Sequence, residues 1–178
     1  MELTRNPDEE LSLGFTNPQP GTSIVQIQEG VAVQTSEENS RVAIMVPIKI
    51  VEVIEGDQEN DGKGANLFVN LISKEGEKVK FGEETICRIL SFTGLAEAFE
   101  KRFPGPTSFT DDEFTNALKA KLPGTLLKLT HDIDMYTDKN GRDRESFEAK
   151  KLAKATKVKP KTEPEPEAGA AGDDNDKW

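Results

Sequence analysis

Residues 41–56 read RVAIMVPIKIVEVIEG, the most apolar run in the chain. By length alone the run suits a helix. Its composition argues otherwise: valine and isoleucine favour a pleated strand. Pro47 in mid-run would break a helical hydrogen bond and clash with the preceding turn. A proline within a strand is tolerated at an edge or a bulge. The run is therefore expected to be one long strand, and it sets the fold class for what surrounds it.

Upstream, PGTSIVQIQEGVAVQT (20–35) has β-branched residues in partial alternation around Glu29-Gly30. It predicts one bent strand or a tight pair. Downstream, the polar loop DQENDGKGAN (57–66) leads to NLFVNLIS (66–73), a KEGE turn and KVKFG (78–82). These last three segments read as a hairpin, with Lys78 and Lys80 on one face of the second arm and Val79 and Phe81 on the other.

A helical zone follows. Ile86, Ile89, Leu90 and Thr93 recur at helical spacing, Gly94 interrupts, and Leu95, Phe99 and Phe103 continue to the PGP stop. Thr110 and Glu113 have the spacing of a capping box opening a second short helix. PGTLLKLTHDIDMYT (123–137) returns to alternation, with Leu127, Leu129, His131, Ile133 and Met135 on one face. Lys128, Thr130, Asp132, Asp134 and Tyr136 take the other. Asn140-Gly141 predicts a two-residue hairpin turn, and the return strand is expected to run to about Ala149.

The expected fold class is α+β and β-dominated: an OB-like antiparallel Greek-key barrel with a helical insert before the final hairpin. An open meander packed on helices is the second choice. The division expected along the chain is an extended N-terminal arm (1–20), a binding domain (21–150, with the insert at about 84–122) and a disordered tail (151–178), basic then acidic.

The chain has 178 residues, enough for one domain with a real core. Its only cysteine, Cys87, excludes an internal disulfide and reads as a small buried hydrophobe. The start, MELTRNPDEEL, has neither the basic nor the apolar region of a secretory signal. No apolar run approaches the roughly 20 residues that span a bilayer. A cytoplasmic location with no membrane partner is expected.

Enzyme chemistry finds little support. His131 is the sole histidine, and its alternation places it on the apolar face, away from Asp132 and Asp134. No phosphate-binding loop and no nucleophile turn of the G-x-S-x-G kind is present. DQENDGKG and DKNGRD lack the full calcium-loop spacing. A non-enzymatic protein without cofactor or metal is expected.

Net charge is −10, and half of it lies in residues 162–178, which carry six acids and one lysine. Just before them, residues 148–161 carry six lysines and one acid. Single strands are held by cations tracking phosphates and aromatics stacking on bases. The candidates for that role are Arg41, Lys49, Phe68, Lys74, Lys78, Lys80, Phe81, Lys128, Tyr136, Arg142 and Arg144. Tyr136, on the polar face beside a turn, is the best stacking candidate, and six of the others have a plainer reading. Phe68 and Phe81 suit a core, Lys78 and Lys80 a half-exposed strand, and Arg142 and Arg144 local pairing with Asp138, Asp143 and Glu145.

PGTSIVQIQEGVAVQTSEENSRVAIMVPIKIVE and LPGTLLKLTHDIDMYTDKNGRDRESFEAKKL together resemble bacteriophage and prophage single-stranded DNA-binding proteins, over roughly residues 18–150. The shared features are Pro20-Gly21 before the first strand, the apolar Val42–Ile54, the helical insert Thr85–Leu122 and the Asn140-Gly141 hairpin. The resemblance implies an OB-type fold and sequence-independent binding of single strands in replication or recombination. The ending GDDNDKW is similar in kind to the acidic, aromatic-closed tails of such proteins, through Asp173, Asp174, Asp176 and Trp178; Lys177 departs from that pattern. Such a tail competes with DNA for a cationic groove and, once displaced, recruits replication or recombination proteins. Homo-oligomerisation is compatible with the resemblance. The competing class is a structural, assembly or adaptor protein of a phage, built on a β-rich core.

Overall fold

The computed structural model describes residues 17–157, so the expected arm up to residue 16 and the tail residues Asp173, Asp174, Asp176 and Trp178 lie outside the described residues. The long apolar run is a strand, β3 (Val42–Gly56). Ile44, Val46, Ile48 and Ile50 on β3 are buried, while Met45, Pro47 and Lys49 between them are not. The bent pair before it is β1 (Gly21–Ile27) and β2 (Ala32–Thr35). Both lie along the same edge of β3: Ile27 pairs with Ile48 and Ala32 with Met45. Pro47 falls between these two ladders, where its carbonyl accepts the Gln28 N–H at 2.8 Å. The chain corners there at Glu29-Gly30, so the donor that proline lacks is not needed.

The opposite edge of β3 pairs with β4 (Gly64–Ile72). Then come α1 (Lys80–Phe92), α2 (Ala96–Arg102) and α3 (Asp112–Lys121), followed by the hairpin β5 (Leu126–Thr137) and β6 (Asp143–Lys154). β5 pairs with β1 and β6 with β5, every neighbour antiparallel. Spatially the sheet runs β4, β3, β1 with β2, β5, β6. The chain is thus a β-dominated α+β fold: one open antiparallel sheet and, among the described residues, three α-helices. Among the described residues no ladder joins β4 to β6, so the sheet is not closed into the expected barrel.

The core lies between one face of the sheet and the helices. Ile86, Ile89 and Leu90 of α1, Phe99 of α2 and Phe114 and Leu118 of α3 meet Val25, Ile27, Val46 and Leu129. Phe99, Phe103, Phe109 and Phe114 form a tilted and edge-on cluster with centroids 4.9–6.0 Å apart, the geometry the ring quadrupole favours. The break between α1 and α2 is a Schellman turn. Gly94 takes φ +77°, and the Leu95 and Gly94 amides reach back to Leu90 and Ser91 carbonyls at 2.8 and 3.1 Å.

Several local expectations give way. KVKFG is not a strand: Lys78 makes one isolated bridge to Ile72, and α1 starts at Lys80. The cause is close packing, since any Cβ at Gly82 would collide with the Asn70 carbonyl of β4. The first helical turn therefore sits directly on that strand, and Phe81 is turned outward. The capping box does not form: Asp111 precedes α3 without a side-chain cap, and Thr110 bonds Ser108 instead at 2.8 Å. The final hairpin is not a two-residue turn, because that turn requires positive φ at Asn140 and only Gly141 has it (φ +74°). Asp138 organises the loop, its Oδ1 accepting the Asn140 and Arg142 amides at 2.8 and 3.0 Å. Cys87 is exposed on α1, not buried. β6 runs on to Lys154, so Lys150, Lys151 and Lys154 belong to the sheet.

Candidate functional site

Alternation along β4 buries Leu67, Val69 and Leu71 and exposes Asn66, Phe68 and Asn70. Phe68 stands opposite Met45, and Asn66 opposite Pro47. Their outer strip continues to Gln34, whose amide approaches the Met45 sulfur at 3.8 Å. Arg41 joins it from the other end, its Nε donating to Asn70 Oδ1 at 3.0 Å.

Beyond the outer edge of β4 lies a cleft of about 660 Å³, bounded by the first turns of α1 and by β6. Its floor is apolar: Leu67, Val69, Ile89, Phe147 and Leu152. Its mouth carries Phe68, Phe81, Arg88, Lys150 and Lys151. Phe68 is 54% and Phe81 71% exposed, so the core reading fails for both. Two exposed phenylalanines facing one cleft are unusual, because burying such rings is a large part of what drives folding. Phe81, Thr85 and Arg88 share a face of α1, being four and seven residues apart. Lys150 pairs with Glu148 at 2.8 Å. That hydrogen bond, helped by the carboxylates of Asp132 and Asp134, raises its ammonium pKa. Arg88 and Lys151 are exposed beside it.

The structure therefore gathers only part of the predicted set. Phe68 and Phe81 line the cleft, Arg41 reaches it through Asn70, and Lys49 lies on the outer side of β3 opposite Gly64. Lys78 and Lys80 precede and open α1, with Lys80 4.0 Å from Glu84. Lys74 sits in the exposed turn, its carbonyl accepting the Ser40 amide at 3.3 Å. Lys128, Tyr136, Arg142 and Arg144 belong to the β5–β6 hairpin and do not line the cleft. Arg144 follows the plainer reading, pairing with Asp138 at 3.1 Å. With the Arg142 amide first and Arg144 second, those contacts hold the Asp138 carboxyl below its usual range. Lys139 ties the hairpin tip to Glu38 of the β2–β3 loop at 2.9 Å.

Sequence reasoning passed over Arg88, Lys150 and Lys151. The signal for Arg88 was its seven-residue spacing from Phe81, legible once α1 is known to start at Lys80. The two lysines were grouped with the basic block of the tail.

His131 is 2% exposed. Its Nε2 is 3.1 Å from Ser23 Oγ, and its ring lies 5.3 Å from that of Phe147. Nδ1 has no partner. Burial pushes the imidazole below its usual pKa, against a smaller opposing pull from Asp132. A neutral, enclosed ring is what a packed structural histidine requires. Among the described residues no group of three or more metal-ligating side chains converges, and no helix is long and apolar enough to cross a membrane.

What the fold and cleft define is a β-sheet protein with an aromatic and cationic groove at an open sheet seam. No family model matches the chain, and no curated protein matches it.

Proposed function

We propose that this protein is a non-enzymatic, sequence-independent single-stranded DNA-binding protein of phage type, acting in replication or recombination in the host cytoplasm. The observation that carries the reading is the pair of exposed rings, Phe68 and Phe81, set with Arg88, Lys150 and Lys151 around one cleft. Exposed rings, one on the outer side of β4 and one on the first turn of α1, offer stacking platforms worth about 1–3 kcal/mol per base, and cations beside them hold the phosphates. Asn66 and Asn70 add amides that can bond base edges or sugars.

Topology supports the same reading. The spatial order β4, β3, β1 with β2, β5, β6, a bent first strand serving two neighbours and a helix between β4 and β5 correspond to an OB-like barrel with its last seam unzipped. The outer side of β3 and β4 is then the side on which OB-folds bind oligonucleotides. The acidic residues 162–178 fit a competitor for the same cations, which lets an acidic chain bind DNA where local patches dominate over a Debye length of about 8 Å. Partner recruitment through Asp173, Asp174, Asp176 and Trp178 belongs to this reading.

Fluorescence anisotropy with a labelled oligothymidine tests it. Binding at low salt is expected, weaker for duplex and tighter after removal of residues 162–178. No binding at low salt by either form would end the proposal.

A further inference from the structure

The β5–β6 hairpin is divided by charge. Its tip half, residues 131–148, carries six acids and three bases. Its base half, residues 126–130 with 149–157, carries Lys128, Lys150, Lys151, Lys154 and Lys157 and no acid. Acids outnumber bases 33 to 23 in the whole chain, so an acid-free surface of this size runs against its composition. The boundary is Lys150, which its hydrogen bond to Glu148 at 2.8 Å ties to the acidic half. Lys150 is also the extra residue of a bulge: Thr130 pairs with Lys151, and His131 with Ala149.

The bulge decides where the next lysine points. Leu129 and Leu152 pair on the core side, so Thr130 with Lys151 and Lys128 with Ala153 pair on the outer side. Lys128 and Lys151 are diagonal neighbours there, about 7–8 Å apart. The residues opposite them, Ala153 and Thr130, are too short to stand between. Lys151 also bounds the cleft, so one ammonium serves both the cleft mouth and the outer face of the hairpin. On its other side Lys128 faces Ile24 of β1, and Glu52 of β3 comes next, so the cationic row stops there. It continues instead to Lys154, exposed at the end of β6 beside Ala153. Lys128, Lys151 and Lys154 form no ion pair among the described residues. Like charges gathered without an acid repel one another. A polyanion laid across them removes that repulsion and releases its own counterions.

We propose that a single strand leaving the cleft turns over Lys151 onto the outer face of the hairpin base, with its next phosphates on Lys128 and Lys154. The inference rests on the single-strand reading of the cleft and adds the path beyond it. The strand takes the base half because the tip half sets Asp132 opposite Glu148, with Asp134 two residues on, and these carboxylates repel phosphates. The bound length then exceeds what the cleft alone covers.

Oligothymidines of two lengths test the path by fluorescence anisotropy at low salt: about 5 nucleotides, enough for the cleft, and about 15, enough for the cleft and the hairpin base. Lys128→Gln/Lys154→Gln is expected to weaken the longer oligonucleotide about five-fold or more and to flatten its log affinity against log salt by about 1.4. The shorter one is expected to bind within two-fold of the parent, which also shows that the variant is folded. Lys119→Gln/Lys121→Gln removes the same charge from the last turn of α3 and is expected to leave both lengths within two-fold. Equal losses on the two lengths, equal losses from the two variants, or no loss on the longer oligonucleotide would overturn the path and leave the cleft reading standing. A parent protein that binds neither length would overturn both.

Discussion

Phe68→Ala separates a ring kept for binding from a ring kept for folding. Phe68 is 54% exposed on the outer side of β4. A phenylalanine has about 200 Å² to bury, so a little under half of that is covered, and roughly half of the covered part is backbone and Cβ that alanine retains. The remaining ~50 Å², at about 25 cal/mol per Å², makes the stability cost about 1 kcal/mol. Loss of one stacking platform costs about 1–3 kcal/mol of single-strand affinity, about 5- to 150-fold. Its neighbour Leu67 is 5% exposed and faces the core. Leu67→Ala is expected to cost about 2–5 kcal/mol of stability and little affinity in the fraction that stays folded. Urea titration and oligonucleotide anisotropy on the same preparations measure both quantities. The reasoning is refuted if Phe68→Ala binds within two-fold of the parent, or if it destabilises as much as Leu67→Ala.

Further outcomes follow from the same geometry. Arg88→Gln with Lys151→Gln should flatten the dependence of log affinity on log salt by about 1.4, since each cation lost from a single-strand contact removes about 0.7; an unchanged slope would remove both from the interface. Gly82→Ala should destabilise by about 1–3 kcal/mol, read as a lower urea midpoint, because its Cβ meets the rigid Asn70 carbonyl. His131 has a folded pKa below its unfolded value of about 6.5. The unfolded chain therefore takes up the proton first, and the stability His131 allows is complete above about pH 6.5, falls as pH drops from there, and levels off below the folded pKa. The slope contributed is at most about 1.4 kcal/mol per pH unit; His131→Gln, measured by urea titration between pH 7.5 and 5.5, should lose that component.

The sequence was most legible where one pattern acted alone. Proline and β-branching made residues 42–56 a strand, and alternation correctly put Leu127, Leu129 and His131 on the buried face of β5. It was least legible where tertiary contact set a local choice. The KVKFG segment has the alternation of a strand, yet packing of Gly82 on β4 starts a helix inside it and throws Phe81 outward. Asn140-Gly141 was read as the turn, whereas Asp138, through two amides, shapes the loop. Barrel closure could not be read from local pattern, because whether β4 meets β6 depends on a seam between strands some 75 residues apart in the chain. The same distance hid the candidate site: Phe68 and Phe81 were singled out as aromatics, but Arg88, Lys150 and Lys151 acquire meaning only once α1 and β6 stand beside β4.

The central claim is that a single strand is held at the mouth of this cleft. A binding footprint tests it most directly: backbone amide shifts of the protein, recorded with and without an oligothymidine at low salt. The account predicts the largest changes at residues 66–70, 80–88 and 148–152, and little change in α3. A footprint centred on α3, or no change anywhere at saturating oligonucleotide, would contradict it.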